Sequence, residues 1–135
     1  MGRRTKTRKS YRLSQRIRYT ETRPELIVRE ILAQEGHVYL TGNLEIPVED
    51  MVGKWRLRPD ILVVPNTVIE VDGPYHKTPT ERRKTKWRDA LLVGAGYRVI
   101  HIDSELTKNQ KLRDYLKTEL NKAIQETEAI VRIDA

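Results

Sequence analysis

Three carboxylates set among β-branched residues constrain this chain more than anything else in it. Asp60 stands just before the apolar run Ile61 to Val64, and Glu70 and Asp72 occupy alternate positions at the end of the next run. A strand interior desolvates charge, so acidic residues there are costly unless something pairs them. Pro65-Asn66-Thr67 separates the two runs with turn chemistry, and the segment reads as a β-hairpin. Side chains alternate between faces, so Glu70 and Asp72 share one face while Ile69 and Val71 take the other. A loop over 65–67 sets Asp60 opposite Asp72, on that same face, and a one-residue slip would remove it. Three carboxylates at one point repel, which raises at least one pKa unless a cation neutralises them. Oxygen ligands of this kind suit Mg²⁺ or Mn²⁺, so the set Asp60, Glu70, Asp72 points to a metal-dependent hydrolase. A solvated strand face or a salt-bridged hairpin would carry the same residues.

The charge is unevenly placed. The net charge is +7, and residues 1 to 18 hold eight basic residues and no acid. A single-sign block of this kind reads as a flexible arm over about residues 1–20, with nucleic acid as its partner. Arg3, Arg4, Arg8, Lys9 and Arg12 are its candidate phosphate contacts, and a solubilising tail is the plainer alternative. Residues 21–135 are then one domain, since the 135-residue chain supports a single modest core. No stretch approaches the run of about 20 apolar residues that spans a bilayer, and the N-terminus has no apolar signal region. The expectation is a cytoplasmic protein on DNA with no membrane partner; a homodimer is left open. The chain has no cysteine, so a disulfide framework is excluded.

Local signals place the remaining residues. Thr22-Arg23-Pro24-Glu25 has capping-box spacing and opens a helix over Leu26, Ile27, Ile31 and Leu32 toward Gly36. Residues 37–40 and 44–48 read as short strands around the turn Thr41-Gly42-Asn43. Lys54-Trp55-Arg56-Leu57-Arg58 alternates basic and apolar residues, a strand whose wet side offers Arg56 and Arg58 to phosphate. A second helix opens at Glu81 with a basic first half, where Arg82, Arg83 and Lys86 are candidate backbone contacts. Residues 97–103 form the next strand, as in a βαβ crossover, and His101 reads there as a partly covered strand histidine. Leu112, Leu116, Leu120 and Ile124 recur every four residues and predict a core-facing helix from Asn109 to Ile130. His76 follows the tight Asp72-Gly73-Pro74 corner, where an imidazole can move protons at neutral pH. Lys77 beside it is a reserve cation for the phosphate.

Pro59-Asp60, nine residues, then Glu70-Val71-Asp72 resembles the PD-(D/E)xK nuclease signature, with Asp72 where the lysine usually stands. Val71 to His76, followed by Gly96-Tyr97-Arg98-Val99-Ile100, is similar to one branch of that superfamily. The branch holds the very-short-patch-repair endonucleases, their uncharacterised bacterial relatives and phage homing nucleases with a Glu-Asp-His-Asp site. The resemblance covers about residues 20 to 118 and includes a helix opening with a Pro-Glu pair, here Pro24-Glu25. It implies a restriction-endonuclease-like α/β fold, a mixed central sheet flanked by helices. It also implies endonucleolytic hydrolysis of DNA with Mg²⁺ or Mn²⁺ and a catalytic set of Glu25, Asp60, Glu70, Asp72 and His76. Glu25 is equally explained as a capping residue. Two departures stand out. The structural zinc of the repair enzymes is not expected without cysteine, and the Asp that relatives carry near position 85 is replaced by Lys84-Thr85-Lys86, with Asp89 the nearest acid. A nuclease-like protein that binds nucleic acid without cutting it is the competing expectation.

Overall fold

The computed structural model describes residues 23–73 and 78–135. Short β-branched runs give seven strands among these residues: β1 (Tyr39–Thr41), β2 (Ile46–Glu49), β3 (Lys54–Leu57), β4 (Ile61–Val63), β5 (Thr67–Asp72), β6 (Arg98–Asp103) and β7 (Ile130–Ile133). Three α-helices, α1 (Arg23–Gln34), α2 (Pro79–Gly94) and α3 (Gln110–Gln125), and one 3-10 turn at Ser104–Thr107 accompany them. Five strands form one sheet in the order β1-β4-β5-β6-β7, and β2 and β3 form a separate two-stranded ribbon. The pairs β1–β4 and β4–β5 are antiparallel, while β5–β6 and β6–β7 are parallel. The architecture is therefore the expected mixed α/β one.

Alternation along the central strands divides the core in two. Ile61, Ile69, Ile100 and Ile102 meet Ile27, Val28, Ile31 and Leu32 of α1 and Leu116, Leu120 and Ala123 of α3. On the other face Val68 and Val99 meet Leu91 and Leu92 of α2 together with Ile46, Val48 and Leu57 of the ribbon. Each fully buried Leu or Ile contributes about 1.5–3 kcal/mol of transfer free energy. Those contributions lock the strand faces: Glu70 and Asp72, which alternate with Ile69 and Val71, must look toward α2.

Three local expectations change. The strands on either side of Gly42 belong to different sheets, because Gly42 (φ 79°) and Asn43 (φ 53°) are both left-handed and turn the chain out of the main sheet into the ribbon. The last helix starts at its predicted cap, with Asn109 accepting from the Leu112 amide at 2.9 Å, but stops at Gln125 rather than Ile130. The Arg98 guanidinium collects its final carbonyls, donating to Ala123 O at 2.7 Å and Ile124 O at 3.2 Å. A further bond to Glu128 O at 2.9 Å carries the chain back to the sheet, where 130–133 adds β7. The second helix starts two residues before Glu81: Thr78 caps it, Pro79 is its first residue, and Glu81 closes the capping box.

Candidate active site

The hairpin register differs from the expected one. Ile61 pairs with Ile69, so the register carried one residue further sets Asp60 opposite Glu70, not Asp72. The loop is one residue earlier than predicted, at 64–66, and the pairing shifts by two, so parity is kept. Asp60 still lies on the acidic face, where its Oδ2 accepts from the Val71 amide at 2.9 Å. That bond fixes the carboxylate beside β5.

Glu70 is tightly constrained. It is 8% exposed, and its Oε1 is buried with no hydrogen-bond partner. The Arg88 guanidinium of α2 approaches that oxygen to 3.6 Å, a charge contact too long for a hydrogen bond. Burial, and then the neighbouring Asp60 charge, push the Glu70 carboxyl up to about 8. A carboxylate in the middle of a sheet with an orphaned oxygen is a liability for folding.

Asp72 is organised differently. The parallel register sets His101 beside Glu70, and the imidazole is 3% exposed. Its Nδ1 donates to Asp72 Oδ2 at 2.9 Å and its Nε2 to Asp89 Oδ2 at 2.8 Å. Burial opposes the imidazolium, but the bonds to Asp72 and then Asp89 outweigh it and raise His101 to about 9. Both ring nitrogens are protonated at neutral pH, as both bonds require. Arg132 of β7 adds a second positive group 3.6 Å from Asp72 Oδ2. Asp89 is therefore part of the cluster, while His101 is fully covered rather than partly so.

The other expected residues are spread more widely. Glu25 lies half-buried in the first turn of α1, the helix on the opposite face of the sheet. Arg56 and Arg58 are exposed and both bond Glu45, at 3.3 and 3.0 Å. Arg82, Arg83 and Lys86 line the solvent side of α2. A groove of about 660 Å³ between the ribbon and the end of α2 is lined by Glu49, Lys54, Trp55 and Arg56, and not by Asp60, Glu70, Asp72 or Asp89. His76, Lys77 and the arm residues Arg3, Arg4, Arg8, Lys9 and Arg12 lie outside the described residues. Among the described residues, no three His, Asp or Glu side chains are grouped so as to hold a metal ion. No helix there is long and apolar enough to cross a membrane.

Sequence reasoning missed Arg88, His101 and Arg132. For His101 the signal was present: a polar residue between Ile100 and Ile102 is the same anomaly that singled out Glu70. The two arginines are visible only once α2 and β7 are docked.

No protein-family model matches the chain, and no curated protein does. Among solved structures it is similar to the catalytic domain of the homing endonuclease I-Bth0305I. The two share 27% identity and a TM-score of 0.49, over 76% of this chain and 93% of that one. A TM-score below one half leaves the reading of function to the chain's own residues.

Proposed function

We propose that the protein is a divalent-metal-dependent endonuclease that hydrolyses phosphodiester bonds in DNA. The observation that carries this reading is Glu70, a buried carboxylate with an orphaned oxygen and a raised pKa, side by side with Asp60. A bound cation reconciles two such carboxylates, and two suffice, because Mg²⁺ keeps several waters and relies on substrate phosphate for the rest of its shell. Asp60 and Glu70, with Asp72 next along the strand, are the residues that would hold Mg²⁺ or Mn²⁺. When bound, the metal would lower the pKa of a water and offset charge on the scissile phosphate. The resemblance of Pro59-Asp60 and Glu70-Val71-Asp72 to the PD-(D/E)xK signature supports the same assignment.

Around that pair the chain's own groups divide the work. His101 and Arg132 hold Asp72 in one orientation. The exposed basic side of α2, Arg56, Arg58 and the N-terminal arm grip phosphates. His76 moves the proton, and its replacement by Ala should slow single-turnover cleavage by about 10²-fold and flatten the pH dependence near neutrality. An unchanged rate would leave His76 without a role in the chemistry.

A second reading, binding without cleavage, is favoured by one observation. Asp72, His101 and Asp89 already satisfy one another. Incubating pure protein with supercoiled plasmid and Mg²⁺ or Mn²⁺, against a chelator control, separates the two. Relaxed or linear product that the chelator abolishes supports the nuclease, and intact plasmid under a mobility shift supports the binder.

The arm gives a prediction under either reading. Each Arg or Lys that meets a phosphate adds close to one unit to the slope of log affinity against log salt. Deleting residues 1–18 removes eight positive charges, so that slope should become clearly shallower and binding weaker on every DNA sequence. Identical slopes for the full and shortened chains would transfer phosphate recognition to Arg56, Arg58 and α2.

A further inference from the structure

We infer that Arg88 is a catalytic residue that contacts the scissile phosphate, supplying the positive group that the position after Glu70-Val71 lacks. The inference rests on the nuclease reading. Hydrolysis forms a bond from a water oxygen to phosphorus, breaks the P–O3′ bond and leaves the water's proton on the departing 3′ oxygen. Negative charge builds on the non-bridging oxygens in between, and a fixed donor aimed at them stabilises the transition state most.

The sequence position available for such a donor is Asp72, a carboxylate, whose oxygen is occupied by His101 and Arg132. His101 cannot serve, since it is 3% exposed with both nitrogens bonded to carboxylates. Arg88 can. Its side chain is 33% exposed and reaches from α2 to within 3.6 Å of Glu70 Oε1. The same terminal nitrogen makes a marginal 3.5 Å bond to the Arg58 carbonyl. Both contacts are made loosely by one terminal nitrogen, beside Glu70, and a third of the side chain is open to solvent. An Arg so placed has donors to spare, and its planar fork matches two phosphate oxygens. The neighbouring Asp89 fixes that turn of α2 to the sheet through His101, so the side chain is anchored at its root while its head makes just these two weak contacts.

The test compares wild type and Arg88→Ala on a duplex cleaved by the wild type, and on the same duplex with a neutral methylphosphonate at the scissile position. With the ordinary phosphate, Arg88→Ala should slow single-turnover cleavage by about 10²–10³-fold, and Arg88→Lys should restore part of it. Circular dichroism should show native folding; Arg88→Met, which keeps the apolar stem, carries the same expectation should the Ala variant unfold. The methylphosphonate should cost the wild type a much larger factor than it costs the variant, because the lost charge is the one Arg88 meets. Equal rates for wild type and folded variant, or an equal methylphosphonate effect on both, would overturn the assignment while leaving the nuclease reading intact. A wild type that cuts no DNA with either metal overturns both.

Discussion

Replacing Asp60 with Asn or Glu70 with Gln should reduce DNA cleavage by about 10³-fold or more, since a bound metal supplies several kcal/mol of transition-state stabilisation. DNA affinity should change little, because the residues proposed to bind phosphate lie elsewhere. Glu70→Gln carries a second expectation that no loss of function would produce. The folded-state pKa of Glu70 is about 8, well above its ordinary 4.5. A group raised in this way contributes stability that is fully present below about 4.5 and is lost as pH climbs through about 8. In metal-free buffer at pH 9 the wild type must keep a charged, desolvated carboxylate beside Asp60. The neutral amide removes that cost, and its melting temperature should exceed the wild type's by about 5 °C or more. Added Mg²⁺ should stabilise the wild type and not the variant. Normal cleavage by Asp60→Asn, or a Glu70→Gln protein no more stable than wild type at alkaline pH, would remove these two carboxylates from the proposed site.

His101→Ala should be the most damaging single change to the fold. It leaves Asp72 and Asp89, each 16% or less exposed at the side chain, without the charge that both bond. Breaking a buried pair in this way costs about 3–5 kcal/mol, with the lower end expected because Arg132 still approaches Asp72. The pH dependence gives the sign independently. His101 is raised to about 9 from 6.5, so its contribution is complete below about 6.5 and fades as pH rises through 9. Wild-type melting temperature without metal should therefore fall steadily between pH 7 and 9.5, and the fall should be shallower in His101→Ala. A wild-type curve flat over that range would mean that the imidazole is neutral and the cluster is held by hydrogen bonds alone.

Much of this was legible in the chain itself. The apolar alternation around Glu70 and Asp72, the Thr41-Gly42-Asn43 turn, the cap at Asn109 and the leucines of α3 each encode their element locally, because helix caps, turns and strand faces depend on residues within a few positions of one another. The same locality placed three acids on one face of one hairpin. What it could not fix was register. A one-residue shift in the position of the three-residue loop decides whether Asp60 meets Glu70 or Asp72, and that choice belongs to the packing of Ile61 and Ile69 against α1 and α3. Residues 126–130 read as the tail of a helix until Arg98, some thirty residues earlier, takes the helix's last carbonyls, and the chain beyond goes on to a strand at Ile130–Ile133. The sequence alone thus determined the fold class and the acidic strand. Only the tertiary structure decided what neutralises that strand, because His101, Asp89, Arg88 and Arg132 come from three different elements. Their charges meet Glu70 and Asp72 only after burial has removed the water that would otherwise keep them apart.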